Sequence, residues 1–451
     1  MKPKEVLTWL NEPTAIAPLA GFRVLFGLAM FISTLRFILL GWVDDHYIQP
    51  LVHFTYYGFS WVKAGPAWFM YAVHGVLLLS AIGVMLGYRY RLSAVLLFLC
   101  FTYTELIDLS YYLNHYYYVS LVCLLLIFLP AHAAYSFDAK QGRQNAYTHI
   151  PRWMPLSLMG MMAIVYTCAG LAKINQDWLI HALPLKIWLP ASYDLPVLGP
   201  LFAWKYSPWI FSWAGMLYDC SIAIFLFNRK TRPWAYLSVI IFHSLTGILF
   251  QIGVFPLVMM AGTLIFFSAD WHTRWLSRIR PWSMVHGPWS NEAWSDLKSR
   301  YSLTARLFAL FFAIQLIFPW RYLLYPGNLF WTEEGYRFSW RVMLVEKAGT
   351  AQFYVQEQGS DRKGQVVNSE FLNLHQEKQM SYQPDMLLQY ARFLHEHYKN
   401  QGLKNPVVTA EVYVTMNGRP SHLYIDSTLD LAQVQDNWKP KTWIKPYPWN
   451  E

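Results

Sequence analysis

YTCAGLAKINQDWL, residues 166–179, closes an apolar run on a single lysine, Lys173, and follows it at once with a polar turn carrying Asp177 and Trp178. A cation at the mouth of a membrane helix is cheap as a snorkelling anchor. The same cation pointing into a helix bundle is expensive and usually has a task. Working outward from this stretch, the chain is 451 residues long, 55% hydrophobic and 18% aromatic, with only 14% charged residues. That balance excludes an ordinary soluble enzyme. The apolar residues gather into runs at 19–41, 67–87, 92–108, 115–134, 153–173, 207–227, 233–250, 254–268 and 304–324. A bilayer crossing takes about 20 residues, so these runs predict a polytopic α-helical bundle of about nine transmembrane helices.

The net charge of +9 does not point to nucleic acid, because the cations sit in short loops between the runs. Lys2 and Lys4, Arg89 and Arg91, Lys140 and Arg143, Arg229 to Arg232, and Arg274, Arg278 and Arg280 occupy alternate loops. The loops between them hold Asp44, Asp45, Glu105, Asp108, Asp177 and Asp194. The positive-inside bias then predicts a cytoplasmic N-terminus in an inner membrane, and nine crossings place the C-terminal segment outside. Cys100, Cys123, Cys168 and Cys220 all lie in apolar runs, where cysteine behaves as a small hydrophobe.

Composition changes near residue 325, which divides the chain into a membrane domain, 1–324, and a β-rich α+β extracytoplasmic domain, 325–451. Residues 351–357 and 407–416 are rich in β-formers, and Asn417-Gly418 is a hairpin signal. Residues 385–399 place Met386, Leu387, Tyr390, Leu394 and Tyr398 on one helical face.

Topology brings Lys173, Asn114, His115, Glu105 and Asp108 to the outer face, with Asp219 and His243 deeper in the membrane. Burial of a lysine favours its uncharged form, and an uncharged amine is a base. Histidines can donate to a developing oxyanion. Apolar surroundings suit a quinone-sized ligand entering from the lipid. No metal-ligand spacing stands out.

Several motifs in order carry a resemblance: FRVLFG at 22–27, AGLAKINQDW at 169–178, FHSLTGILFQIGVFPLVM at 242–259, FSW at 338–340, PDMLLQYA at 384–391 and VYVTMNGR at 412–419. Together they resemble the vitamin K-dependent γ-glutamyl carboxylases and their bacterial relatives, the horizontally transferred transmembrane-domain proteins, from about residue 13 to 447. The resemblance implies an enzyme that couples oxidation of a vitamin K hydroquinone, a menaquinol-type naphthoquinol, to its epoxide with carboxylation of protein glutamate. Its co-substrates are O2 and CO2. It also implies partners: the lipid bilayer, a glutamate-containing protein or peptide, and a quinone reductase that recycles the cofactor.

The family's catalytic lysine falls on Lys173, and His132 and His115 are its candidate helpers. Tyr166, Trp178, His243, Thr246 and Phe250 are candidates to line the cofactor. Lys347, Arg419 and Trp340 are candidates for the glutamate substrate, with Asn114, Asp177, Asp219 and Arg23 in support. The chain departs from the animal enzymes at Ala172, where they carry a second lysine, and at Thr246, where they carry asparagine. Their Asn-His pair falls on His132-Ala133, and a histidine and an arginine near their glutamate fall on Val345 and Lys347. These departures leave two other readings open: a quinol oxidase with a different acceptor or epoxidation alone, and a non-catalytic transporter or scaffold.

Overall fold

The computed structural model describes residues 2–143, 147–250, 252–279, 291–360 and 362–449; Arg280 lies outside them. Each apolar run contains a helix: α1 (Ala17–Leu39), α2 (Ala67–Leu86), α3 (Tyr90–Ile107), α4 (Asn114–Phe128), α5 (Trp153–Ala172), α6 (Ser207–Phe227), α7 (Arg232–Leu249), α8 (Phe255–Thr263) and α9 (Ser302–Ile317). Six spans are long and apolar enough to cross a membrane: α1, α2, α3, α5, α6, and α9 with its continuation, Ser302–Leu324. The 23 residues of α1 rise about 34 Å at 1.5 Å per residue, against a hydrocarbon core of about 30 Å.

The expected count of nine is not confirmed. α4 is only 15 residues long, and α8 with its 3₁₀ extension ends at Phe266. α7 carries Arg232, His243 and Thr246, which dilute its apolar character. α7 ends at Leu249 and α8 begins at Phe255, so 233–268 forms two helices. Pro208, Pro233 and Pro256 sit in the first turns of α6, α7 and α8, where the missing N–H removes no helical bond. Leu79, Ile224, Ile241, Leu310 and Leu323 point outward and exposed, as lipid-facing positions do.

Strand β1 (Pro13–Ala15) pairs with β2 (His149–Pro151) and sets the starts of α1 and α5 side by side. The C-terminal segment builds an antiparallel sheet from β3 (Lys347–Glu357), β4 (Lys363–Gln365), β5 (Pro406–Met416) and β6 (His422–Leu423), in the order β4-β3-β5-β6. Val408, Ala410, Val412 and Val414 alternate inward along β5, the period of a one-sided strand. Helix α10 (Pro384–Asn400) covers that face with Met386, Leu387, Tyr390 and Leu394 buried. The β5–β6 turn holds Asn417 at φ 53° and Gly418 at φ 73°, conformations that Asn-Gly adopts readily. Val52, Phe54, Tyr56 and Leu109, from loops of the membrane part, complete the core of the sheet domain.

Candidate active site

Helix α5 ends on Lys173. Its Nζ donates to Asp219 Oδ2 at 2.8 Å and to the Ala169 carbonyl at 3.3 Å, and lies 5.4 Å above the Trp178 ring. Both partners are buried, at 6% and 4% exposure. Lys173 is therefore not an interfacial anchor. Gly170 makes the pair possible: a Cβ there would lie 2.6 Å from the Cys220 backbone nitrogen, so only glycine lets α5 and α6 approach this closely.

Two turns earlier on α5, the Tyr166 hydroxyl lies 2.9 Å from His243 Nε2. His243 Nδ1 is buried without a hydrogen-bond partner, which a ligand hydroxyl could satisfy. His243 lies edge-on to Phe255, and His115 stacks on the same ring with centroids 5.0 Å apart. Thr246 returns its hydroxyl to the His243 carbonyl, and Phe250 packs edge-on to Trp188.

Two cavities meet at His115. One, of about 1500 Å³, is lined by Tyr116, His243, Gly247, Phe250, Pro256 and Leu257, and also by Arg36, His46, Glu105 and Asp108. The other, of about 320 Å³, lies between the helices and the sheet domain and is lined by Tyr118, Val165, Phe255, Trp340, Arg341 and Lys347 among others. His115, Leu113, Tyr112 and Ile252 belong to both walls.

The segment over the second cavity is conformationally unusual. Glu333, Phe338, Trp340 and Met343 all have positive φ, between 52° and 62°. Such non-glycine residues cost about 1–3 kcal/mol each and persist where the surroundings enforce them. Here the Tyr112 hydroxyl accepts from the Phe338 amide, Asn114 donates to the Arg341 carbonyl, and buried Trp340 stacks on Tyr117. This hold turns the Arg341 guanidinium inward. It is 8% exposed, lies 4.2 Å over the Tyr322 ring, and its Nε has no hydrogen-bond partner. No carboxylate pairs with it among the described residues.

The other candidate cations are already paired. Lys347 donates to Glu333 at 3.0 Å and to the Trp331 carbonyl at 2.9 Å. Burial lowers its pKa below the ordinary lysine value, opposed by Glu333. Lys347→Ala leaves the half-buried Glu333 without its ion-pair partner, so a loss of stability is expected, read as a lower thermal midpoint. Arg419 forks onto Asp177 at 2.5 and 2.8 Å, and Asn417 adds a third bond to the same carboxylate at 2.7 Å. Burial alone would raise the Asp177 pKa, but these bonds outweigh it and hold the carboxyl below its usual value. The clasp's contribution is therefore complete at neutral pH and is lost only as pH falls through that lowered value.

His132 and Arg23 stand elsewhere. His132 stacks on Tyr90 at the start of α3, and fully buried Arg23 donates to the Tyr135 carbonyl. Both lie near the β1–β2 end of the bundle, about 30 Å from Lys173 along the 20 residues of α5. Of the two histidines, His115 lies in the cavity wall with His243, and His132 lies near the β1–β2 end of the bundle.

The sequence identifies the chain once this geometry is in place. Residues 11–271, more than half of it, match the HTTM domain, and residues 300–450 match the vitamin K-dependent gamma-carboxylase lumenal domain. The chain belongs to the gamma-carboxylase family. No solved structure matches it. It is a multi-pass, carboxylase-like membrane protein, and its family's dependence on vitamin K agrees with a large cavity that has His243, its Nδ1 unsatisfied, in the wall. Arg341 escaped sequence reasoning. The signal available was its place directly after FSW, but nothing in the sequence says that it lacks a carboxylate.

Proposed function

We propose that this gamma-carboxylase family member couples oxidation of a menaquinol-type naphthoquinol by O2 to fixation of CO2 on protein glutamate. The observation that carries the proposal is the buried Lys173–Asp219 pair at the end of α5, two turns beyond Tyr166, whose hydroxyl meets His243 in the wall of the large cavity. The large cavity suits an apolar ring with a prenyl tail, and His243 Nδ1 would hold one of the ring hydroxyls. When bound, the quinol supplies, with O2, the driving force for abstracting a γ-proton from glutamate. Lys173 Nζ is the proposed acceptor of the quinol hydroxyl proton, with Asp219 placed to stabilise the ammonium that forms. Tyr166 and His243 link α5 to the cavity wall. His115 divides the quinol cavity from the junction cavity, and Arg341 holds the acceptor carboxylate on the junction side. The alternating basic loops support an inner-membrane location with the N-terminus cytoplasmic and the sheet domain outside. A quinone reductase would return the cofactor.

A second reading keeps quinol oxidation but exchanges the acceptor. Its support is that Lys347 and Arg419 are committed to Glu333 and Asp177.

The purified protein in detergent should bind a naphthoquinol and gain stability by mass action, about 2.7 kcal/mol at a hundredfold excess over Kd. The expected readouts are a rise in thermal midpoint with vitamin K hydroquinone and formation of its epoxide in air. Neither response at saturating quinol would overturn the cofactor assignment.

A further inference from the structure

The loop that follows Lys173 is held from the sheet domain. Asn175 caps the turn Gln176–Leu179 through its side chain, and Trp178 Nε1 donates to the Ser212 carbonyl of α6. The Trp178 ring forms the surface beneath Lys173 Nζ. Between these two residues sits Asp177, gripped by three bonds from the β5–β6 turn, two from Arg419 and one from Asn417. The same turn is anchored behind: Asn417 Oδ1 accepts from the Glu346 amide, and the Glu346 carboxylate accepts from Trp188 Nε1 at 2.6 Å. A bidentate guanidinium–carboxylate pair fixes orientation as well as distance. The turn thus fixes the backbone four residues beyond the lysine, and with it the aromatic floor of the lysine's site.

We infer that Arg419 and Asn417 are positioning residues for Lys173, so that the sheet domain is part of the architecture of the base. They touch neither the quinol nor the acceptor. This rests on the proposed role of Lys173. It assigns Arg419 a role opposite to that of a substrate cation, and the two roles separate in kinetics. A substrate cation that is removed raises KM for the acceptor and leaves quinol oxidation intact. A positioning residue that is removed lowers kcat for quinol oxidation and leaves the acceptor KM alone.

The experiment compares wild type, Arg419→Gln, Arg419→Lys and the charge exchange Asp177→Arg with Arg419→Asp, all in the full-length protein. Quinol oxidation is followed with vitamin K hydroquinone, and acceptor KM with a short glutamate-containing peptide. Hydrogen exchange of residues 173–179 is measured on the same samples. Arg419→Gln should lower kcat for quinol oxidation about tenfold or more, with peptide KM within twofold of wild type and faster exchange in 173–179. Arg419→Lys, which keeps the charge but loses the fork, should fall between. The exchanged pair should recover most of the lost rate. A tenfold rise in peptide KM at unchanged quinol oxidation would overturn the inference. Unchanged exchange in 173–179 would overturn it as well, and this readout decides even if the wild-type protein oxidises no quinol, a result that would count against the proposed function instead.

Discussion

Lys173→Arg should leave the protein folded and lower quinol oxidation by about 10²–10⁴-fold, the contribution typical of a positioned general base. The guanidinium can still pair with Asp219, so the buried carboxylate keeps a partner and stability is largely preserved. It stays protonated, however, and cannot accept the quinol proton. Lys173→Ala should lose the same activity and stability too, because Asp219 is left buried and unpaired at a cost of about 3–5 kcal/mol. Asp219→Asn in the Lys173→Ala background should restore the thermal midpoint without restoring turnover. The pair therefore separates chemistry from folding. Measured as epoxide formed per enzyme alongside the midpoint, full activity in Lys173→Arg would remove the base role.

Arg341→Gln should weaken use of a glutamate peptide about ten- to a hundredfold while quinol oxidation continues. A charge-assisted contact to a carboxylate contributes about 1.5–3 kcal/mol, and each 1.4 kcal/mol is tenfold. The substitution keeps the side chain polar but removes the cation over the Tyr322 ring, so the thermal midpoint is measured on the same samples. The sensitive readout is the ratio of epoxide to carboxylated glutamate, which should rise as the acceptor is held less often. If peptide carboxylation and epoxidation fall together, Arg341 is supporting the fold of the 333–343 segment rather than holding substrate.

What could be read from the sequence was local. The apolar runs, the face of α10 and the Asn417-Gly418 turn follow from periodicity and turn chemistry over a few residues, and the structure contains each of them. Lys173 stood out because one cation closes a long apolar run. The pairings were not legible. Asp219 meets Lys173 from another helix because Gly170 lets two backbones touch. Arg419 is a candidate for the glutamate substrate in the sequence, and only the folded chain shows the Asp177 carboxylate lying against it. Lys347 kept the charge of a family arginine, yet Glu333, fourteen residues before it, takes that charge. His132 aligned without gaps on a functional pair, but lies at the opposite end of the bundle from Lys173. Crossing number was also hard to read, because α4, α7 and α8 are short or diluted by polar residues.

The central claim, that quinol oxidation at Lys173 drives carboxylation of glutamate, is tested most directly with purified protein, vitamin K hydroquinone, isotopically labelled bicarbonate and a glutamate-containing peptide in air. Mass spectrometry of the peptide and the quinone is the readout. Labelled carbon dioxide should appear on glutamate together with the quinone epoxide, in wild type and not in Lys173→Arg. Epoxide without any gain of mass on glutamate, at saturating peptide and bicarbonate, would contradict the carboxylase assignment and leave a quinol oxidase with another acceptor.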